Sequence, residues 1–331
     1  MPILGRPILG RVCGLIAAAA LAVGLAAPAA AQDLPTLRLG TLAGGTSSWE
    51  LAVIRDHGLD VENGFRLETQ DYAGNPATHI AIQGGEVDAI VTDWLWAAQQ
   101  DATGLDLTFV PYSTAVGGLL VAGDSPAESL VDLRGQKIAI AGDPVDKSWL
   151  ILRALGLNQG IDLAAETEQI FAAAPLVMQA GLSGEAQGAV NLWHFMAKMK
   201  AAGMRELVSI SDAAAELGLD PDTPLLGYAI SKRAVADKPE VVDGLARASR
   251  AAKEILATDD AAWEEIRPLM NAANDAEFEA LREGWRAGIP PEGPVDPAAA
   301  AKLFAVLAEI GGTELTLGLE ALPEGLFYTG D

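Results

Sequence analysis

Four tryptophans stand beside hydroxyl, amide or charged residues at points where an apolar run gives way to a polar turn. Trp49 closes "GGTSSW" behind Thr46, Ser47 and Ser48, and Trp149 closes "GDPVDKSW" behind Asp143, Lys147 and Ser148. Trp94 follows Asp93 in "VDAIVTDW", and Trp193 stands between Asn191 and His194 in "GAVNLWHF". The chemistry open to such clusters is recognition. An indole face adds about 0.5–1.5 kcal/mol to area burial when a ring stacks on it, and about 2 kcal/mol over a desolvated cation. A carboxylate such as Asp93 accepts a charge-assisted bond from an amine or a ring N–H, worth about 1.5–3 kcal/mol. Helix starts at Ser47, Ser48, Lys147 and Ser148 instead offer N–H groups to an anion. Each residue also has a purely structural use: tryptophan as core, serine and Asp93 as helix caps, and Asp143 as a turn residue before Pro144.

The elements that must position these residues follow from periodicity. From Thr36 onward, strand patterns alternate with helical ones: "TLRLGTL", a helix near Trp49 to His57, "RLETQDY", a helix near Pro76 to Gln83, then "VDAIVT". That alternation predicts parallel βαβ units. "LTFVPYSTAVGGLLVAG" is long for one strand and is read as a strand leading into a crossover, with a second βα series opening at "DSPAESLVDLRGQKIAIAG". "TPLLGYAISKRAVADKPE" is a second crossover candidate, after which a helix runs from Pro239 to about Ala257 and the remainder is helical. The first lobe is therefore discontinuous, 33–117 and 229–331, with 118–228 as the second lobe.

The two series repeat one another. Trp49 to Trp94 spans 45 positions and Trp149 to Trp193 spans 44, with "GGEVDAIVTDWLW" matched by "SGEAQGAVNLWHF". Ligands of open α/β sheets bind beyond the carboxyl ends of strands, so two facing lobes would place these four tryptophans along one cleft. Trp96 is expected to be the core-facing partner of Trp94, and Trp263 and Trp285, amid Glu and Arg on helices, are expected to be structural.

Residues 1–31 have the plan of an export signal: Arg6 and Arg11, the apolar run "VCGLIAAAALAVGLAAP", and a small-residue cleavage site in "AAAQD". The single cysteine, Cys13, lies within it, so the exported chain has no thiol for a disulfide, a metal or a nucleophile. The formal charge is −23, and −25 once Arg6 and Arg11 are removed, which argues against nucleic acid and anionic lipid surfaces as partners. The phosphate-binding GxxxxGK[ST], the dinucleotide GxGxxG, the GxSxG elbow and HExxH do not occur, and His57, His79 and His194 are far apart in sequence. The expectation is a binder and not an enzyme, with no cofactor and no metal.

The phrases "IRDHGLDVE", "AIQGGEVDAIV", "SLVDLRGQKIAIAG", "WLILRALGL" and "GYAISKRAVADKPEVVDGLARA", in this order, resemble the NMT1/THI5-like substrate-binding proteins of ABC importers for aliphatic sulfonates, nitrate and thiamine precursors. The resemblance implies an α/β, two-lobe periplasmic binding protein fold (type II). Each lobe would be a mostly parallel sheet flanked by helices, with a two-strand hinge closing on a small-molecule ligand. It further implies a periplasmic, monomeric protein whose partner is an ABC transporter permease. Two departures bear on the ligand. Asp143 and Asp146 occupy a loop that is often rich in Ser and Thr, and Trp193-His194-Phe195 replaces a Trp-Asp/Glu-Pro stretch. Carboxylates there repel an oxyanion and favour an amino-bearing or heteroaromatic ligand. The alternatives are a sensor presenting its ligand to a receptor and an enzyme resembling thiamine-pyrimidine synthases.

Overall fold

A computed structural model describes residues 34–101 and 103–330. The expected signal segment lies outside the described residues. Ten strands, β1 (Thr36–Leu42), β2 (Arg66–Tyr72), β3 (Ala89–Asp93), β4 (Leu107–Ser113), β5 (Gly117–Ala122), β6 (Lys137–Ala141), β7 (Glu168–Ala172), β8 (Gly188–Leu192), β9 (Met204–Ser209) and β10 (Leu226–Ser231), form two sheets of five. Their orders are β2-β1-β3-β10-β4 and β7-β6-β8-β5-β9.

Both sheets follow one plan. Three parallel strands (β2-β1-β3 and β7-β6-β8) are followed by a strand antiparallel to both its neighbours, β10 in the first sheet and β5 in the second. The repeat seen in the sequence is thus a repeat of topology, and each sheet takes its antiparallel strand from the far side of a crossover. The segment read as a strand leading into a crossover is two strands, β4 in one sheet and β5 in the other. Gly117 makes this division possible: its φ is +147°, and a Cβ there would collide with the Asn191 carbonyl. The chain returns to the first sheet just before β10. The inner strands β1 and β3 are mostly buried, with Leu37, Leu39, Ala89 and Ile90 in the core, while edge strand β2 is mostly exposed.

The helices are α1 (Ser47–Asp56), α2 (Leu59–Glu62), α3 (Asn75–Gly84), α4 (Trp94–Asp101), α5 (Lys147–Gln159), α6 (Leu163–Glu166), α7 (Ala174–Ser183), α8 (Trp193–Ala201), α9 (Ile210–Glu216), α10 (Glu240–Thr258), α11 (Asp260–Met270), α12 (Asp275–Ala287) and α13 (Pro297–Thr316). Helices α10 and α11 pack on α1 beside the first sheet. Helix α13 packs on α5, with Leu303, Phe304 and Leu307 in one core with Leu150 and Ile151. Helices α8 and α12 also pack on one another.

Inside the first half lies a fully buried ion pair. Glu50 on α1 accepts from Lys253 Nζ at 2.6 Å, from Ser249 Oγ at 2.6 Å and from Tyr228 Oη at 2.8 Å. A buried carboxylate is tolerated when its lone pairs are filled in this way. Burial lowers the Lys253 pKa, with Glu50 opposing it.

Candidate functional site

The carboxyl ends of β3 and β6 face each other, and a cavity of about 460 Å³ lies between them. That volume suits a small organic ligand. Four helices meet it: α3, α4 and the end of α13 on one side, and the start of α5 on the other.

Each cavity wall is built from a helix start. Asp93 ends β3 and caps α4, its Oδ1 accepting from the Trp96 N–H at 2.9 Å. Its Oδ2 lies 2.9 Å from Lys147 Nζ, on the first residue of α5, so one ion pair bridges the space between the two sheets. On the facing wall, Gly142 turns the chain with φ +120°, and Asp146 Oδ1 caps α5 by accepting from Ser148 N at 3.0 Å and Trp149 N at 3.2 Å. Asp143 Oδ1 accepts from Val145 N at 2.9 Å and closes the turn between them. One first-turn N–H of α4 and two of α5 that could greet an anion are therefore already held by carboxylates.

Aromatic surface completes the cavity. The His79 and Trp96 rings stack with centroids 3.8 Å apart and planes 12° apart, and His79 Nε2 is 3.3 Å from Thr92 Oγ1. Gln99 donates to the Leu315 carbonyl at 2.7 Å and fixes the end of α13 at the rim. Burial lowers the His79 pKa, with Asp93 acting in the opposite sense. Burial also works against the Lys147 charge, but Asp93 foremost, then Asp146 and Asp143, outweigh it and raise the pKa. Burial raises the pKa of Asp146. The ionisable lining is Asp93, Asp143, Asp146 and Glu314 against the single Lys147, with His79 between them. Among the described residues no group of His, Cys, Asp or Glu is placed to hold a metal ion.

Of the residues selected from sequence, Asp93, Asp143 and Lys147 converge on this cavity. A second group meets at the other flank of the gap between the sheets. Trp193, at the start of α8, sets its ring edge-on to Trp49 at 6.0 Å, and Trp49 in turn meets Trp263 at 6.1 Å. Gly284 of α12 lies against the Trp193 face, where a Cβ would come within 3.0 Å of the ring. His194 packs on Trp193, and burial, together with Lys198, lowers its pKa to about 4. Thr46 sits at the cap position of α1, Ser47 Oγ is 2.7 Å from Thr41 Oγ1, and Ser48 Oγ donates to the Gly45 carbonyl at 2.6 Å.

The other candidates lie in the packing of this conformation. Trp149 is buried beside Phe171, and Ser148 gives its N–H to Asp146. Asn191 is buried, donating to the Ala174 carbonyl at 3.0 Å. Trp94 is buried against Phe327, while Trp96 faces the cavity, which reverses the orientation expected for this pair. Sequence reasoning overlooked His79, Gln99 and Glu314. Nothing local marks them, although Asp146 is legible as a cap two residues before Ser148.

Comparison with known proteins agrees with the architecture. Residues 46–262 match the family model described as NMT1/THI5 like. No curated protein sequence matches the chain. The periplasmic aliphatic sulphonate-binding protein SsuA of Escherichia coli is 16% identical, with 89% of this chain and 92% of that one covered and a TM-score of 0.70. The alkanesulfonate-binding protein SsuA of Xanthomonas axonopodis pv. citri, solved with MOPS bound, is 18% identical, with 88% and 97% covered and a TM-score of 0.65. A Candida albicans gene product described as having the generic periplasmic binding protein fold is 12% identical, with 88% and 94% covered and a TM-score of 0.59. The chain thus has the two-lobe architecture of these proteins.

Proposed function

Given that the chain belongs to the NMT1/THI5-like family, we propose that it is the periplasmic solute-binding component of an ABC importer, working as a monomer that delivers a small ligand to a permease. The moving lobes follow those drawn from the sequence, 33–117 with 229–331 and 118–228, with the boundaries moved so that β5, from Gly117, belongs wholly to the second lobe and β10, from Leu226, wholly to the first. Helix α13 acts as a strap from the first lobe onto α5 of the second. The two crossovers are the hinge, and closure over a ligand is the expected motion.

The proposed ligand is amino-bearing or heteroaromatic and enters the cavity between β3 and β6. One observation carries this reading: four carboxylates face one lysine around a cavity that also presents the stacked His79 and Trp96 rings. Oxyanion ligands, as named for the sulfonate-binding neighbours, would meet α4 and α5 with their N-termini already capped by Asp93 and Asp146. A cation or ring N–H can instead bond to Asp93 and stack on Trp96. A thermal-shift screen with sulfonates, nitrate, aminopyrimidines and small amines, followed by calorimetry on Asp93→Asn, tests this. The substitution is expected to weaken a cationic ligand and spare a sulfonate. Tight sulfonate binding unaffected by it would reverse the ligand assignment.

A further inference from the structure

Asp93, the carboxylate best placed to receive a cationic ligand, already has a cation on it, and that cation comes from the opposite wall. Lys147 Nζ lies 2.9 Å from Asp93 Oδ2, with the Asp93 side chain 16% exposed and that of Lys147 28% exposed. The other oxygen of Asp93 is committed to the Trp96 N–H. Each oxygen can accept more than one hydrogen bond, but a ligand ammonium or ring N–H approaching Oδ2 meets the positive charge that Lys147 already places there. Asp143 and Asp146 stand beside Lys147 on its own loop, so the ammonium has alternative acceptors within its wall once it leaves Asp93.

We propose that Lys147 is the specificity-determining residue of this site: a tethered cation that occupies Asp93 in the unliganded protein, holds the two walls together, and yields only to a ligand whose positive or N–H-bearing group replaces it. The inference rests on the cationic or heteroaromatic ligand reading above and adds a competitor to it. Two properties follow. Ligand affinity is set by the difference between two ion pairs at one carboxylate, so weak donors are rejected although the cavity is large enough for them. Once displaced, Lys147 swings toward Asp143 and Asp146, and the wall that carried it is free to reseat around the ligand.

The probe is 4-aminopyridinium, a planar monocation at neutral pH, titrated calorimetrically and by the change in total tryptophan emission. Lys147→Met is expected to bind it at least tenfold more tightly than the parent protein, Lys147→Gln to shift affinity in the same direction, and Asp93→Asn to lose it. Without ligand, small-angle scattering of Lys147→Met is expected to show a larger radius than the parent. Melting temperatures establish that each variant is folded, since Lys147 opens a helix and is not in the core. Unchanged or weaker 4-aminopyridinium binding by both Lys147 variants overturns the competitor role. Methanesulfonate binding by the parent that disappears in Lys147→Met overturns it differently, by making Lys147 an anion contact, and removes the cationic reading as well. If the parent binds 4-aminopyridinium through Asp93 while the Lys147 variants match it in affinity and radius, the ligand class stands and the role of Lys147 falls.

Discussion

Two lysine–carboxylate pairs in this protein have nearly the same geometry and opposite circumstances. Lys253 and Glu50 meet at 2.6 Å inside one half of the molecule with both side chains at most 2% exposed, and Ser249 and Tyr228 fill the carboxylate's remaining positions. Lys147 and Asp93 meet at 2.9 Å between the two halves, partly in contact with solvent. Desolvation lowers the pKa of Lys253 in spite of Glu50, whereas neighbouring carboxylates raise that of Lys147 in spite of burial. The difference teaches what each can do. A pair that has lost water and gained fixed partners cannot separate without stranding a charge, so it serves the fold. A pair within reach of water, spanning a gap, can exchange partners.

The largest effect is expected from breaking the buried member. Lys253→Met leaves Glu50 uncompensated in the core and should lower stability by about 3–5 kcal/mol in urea denaturation. The double variant Glu50→Gln with Lys253→Met should recover a substantial part of it. If Lys253→Met were as stable as the parent, the two pairs would not differ in kind. The second expectation concerns the bridging member: Asp93→Asn should change stability by less than about 1 kcal/mol, because asparagine also caps a helix. It should nevertheless weaken a cationic ligand by about 1.5–3 kcal/mol, read by calorimetry.

A third measurement asks whether desolvation without a partner behaves as the comparison requires. His194 packs on Trp193 at the aromatic flank, with its pKa lowered to about 4. A histidine whose folded pKa lies below its unfolded value takes up protons preferentially when unfolded. Its contribution is therefore complete above about pH 6.5 and is lost as pH falls toward about 4. Denaturation across this range should show a loss of roughly 1–3 kcal/mol that His194→Gln reduces. The smallest effect is expected from salt. Raising ionic strength should loosen unliganded scattering profiles slightly through the Asp93–Lys147 pair and leave the Glu50–Lys253 pair untouched, since only the former is open to screening ions.

How far the sequence could be read follows from the range of the forces involved. Strand and helix alternation, the paired series, the crossover after the strand that begins at "LTFV", and the long helix after Pro239 are all written in local apolar spacing and backbone chemistry. Local pattern and capping chemistry also placed Asp93 and Lys147 at element ends, where strand termini present side chains to a cleft. The choice between Trp94 and Trp96 was different. Residues two apart on a helix point about 200° apart, so which of them meets the core depends on the side on which α4 is laid against its sheet. That side is fixed by Phe327 and by α13, more than two hundred residues away. The same holds for the stacking of His79 on Trp96 and for the meeting of Asp93 with Lys147, from opposite halves. Sequence by itself determined which groups stand at the ends of the elements. Only the packing of one half on the other decided which of them share a cavity, because short-range contacts between distant segments exist only once the chain has closed on itself.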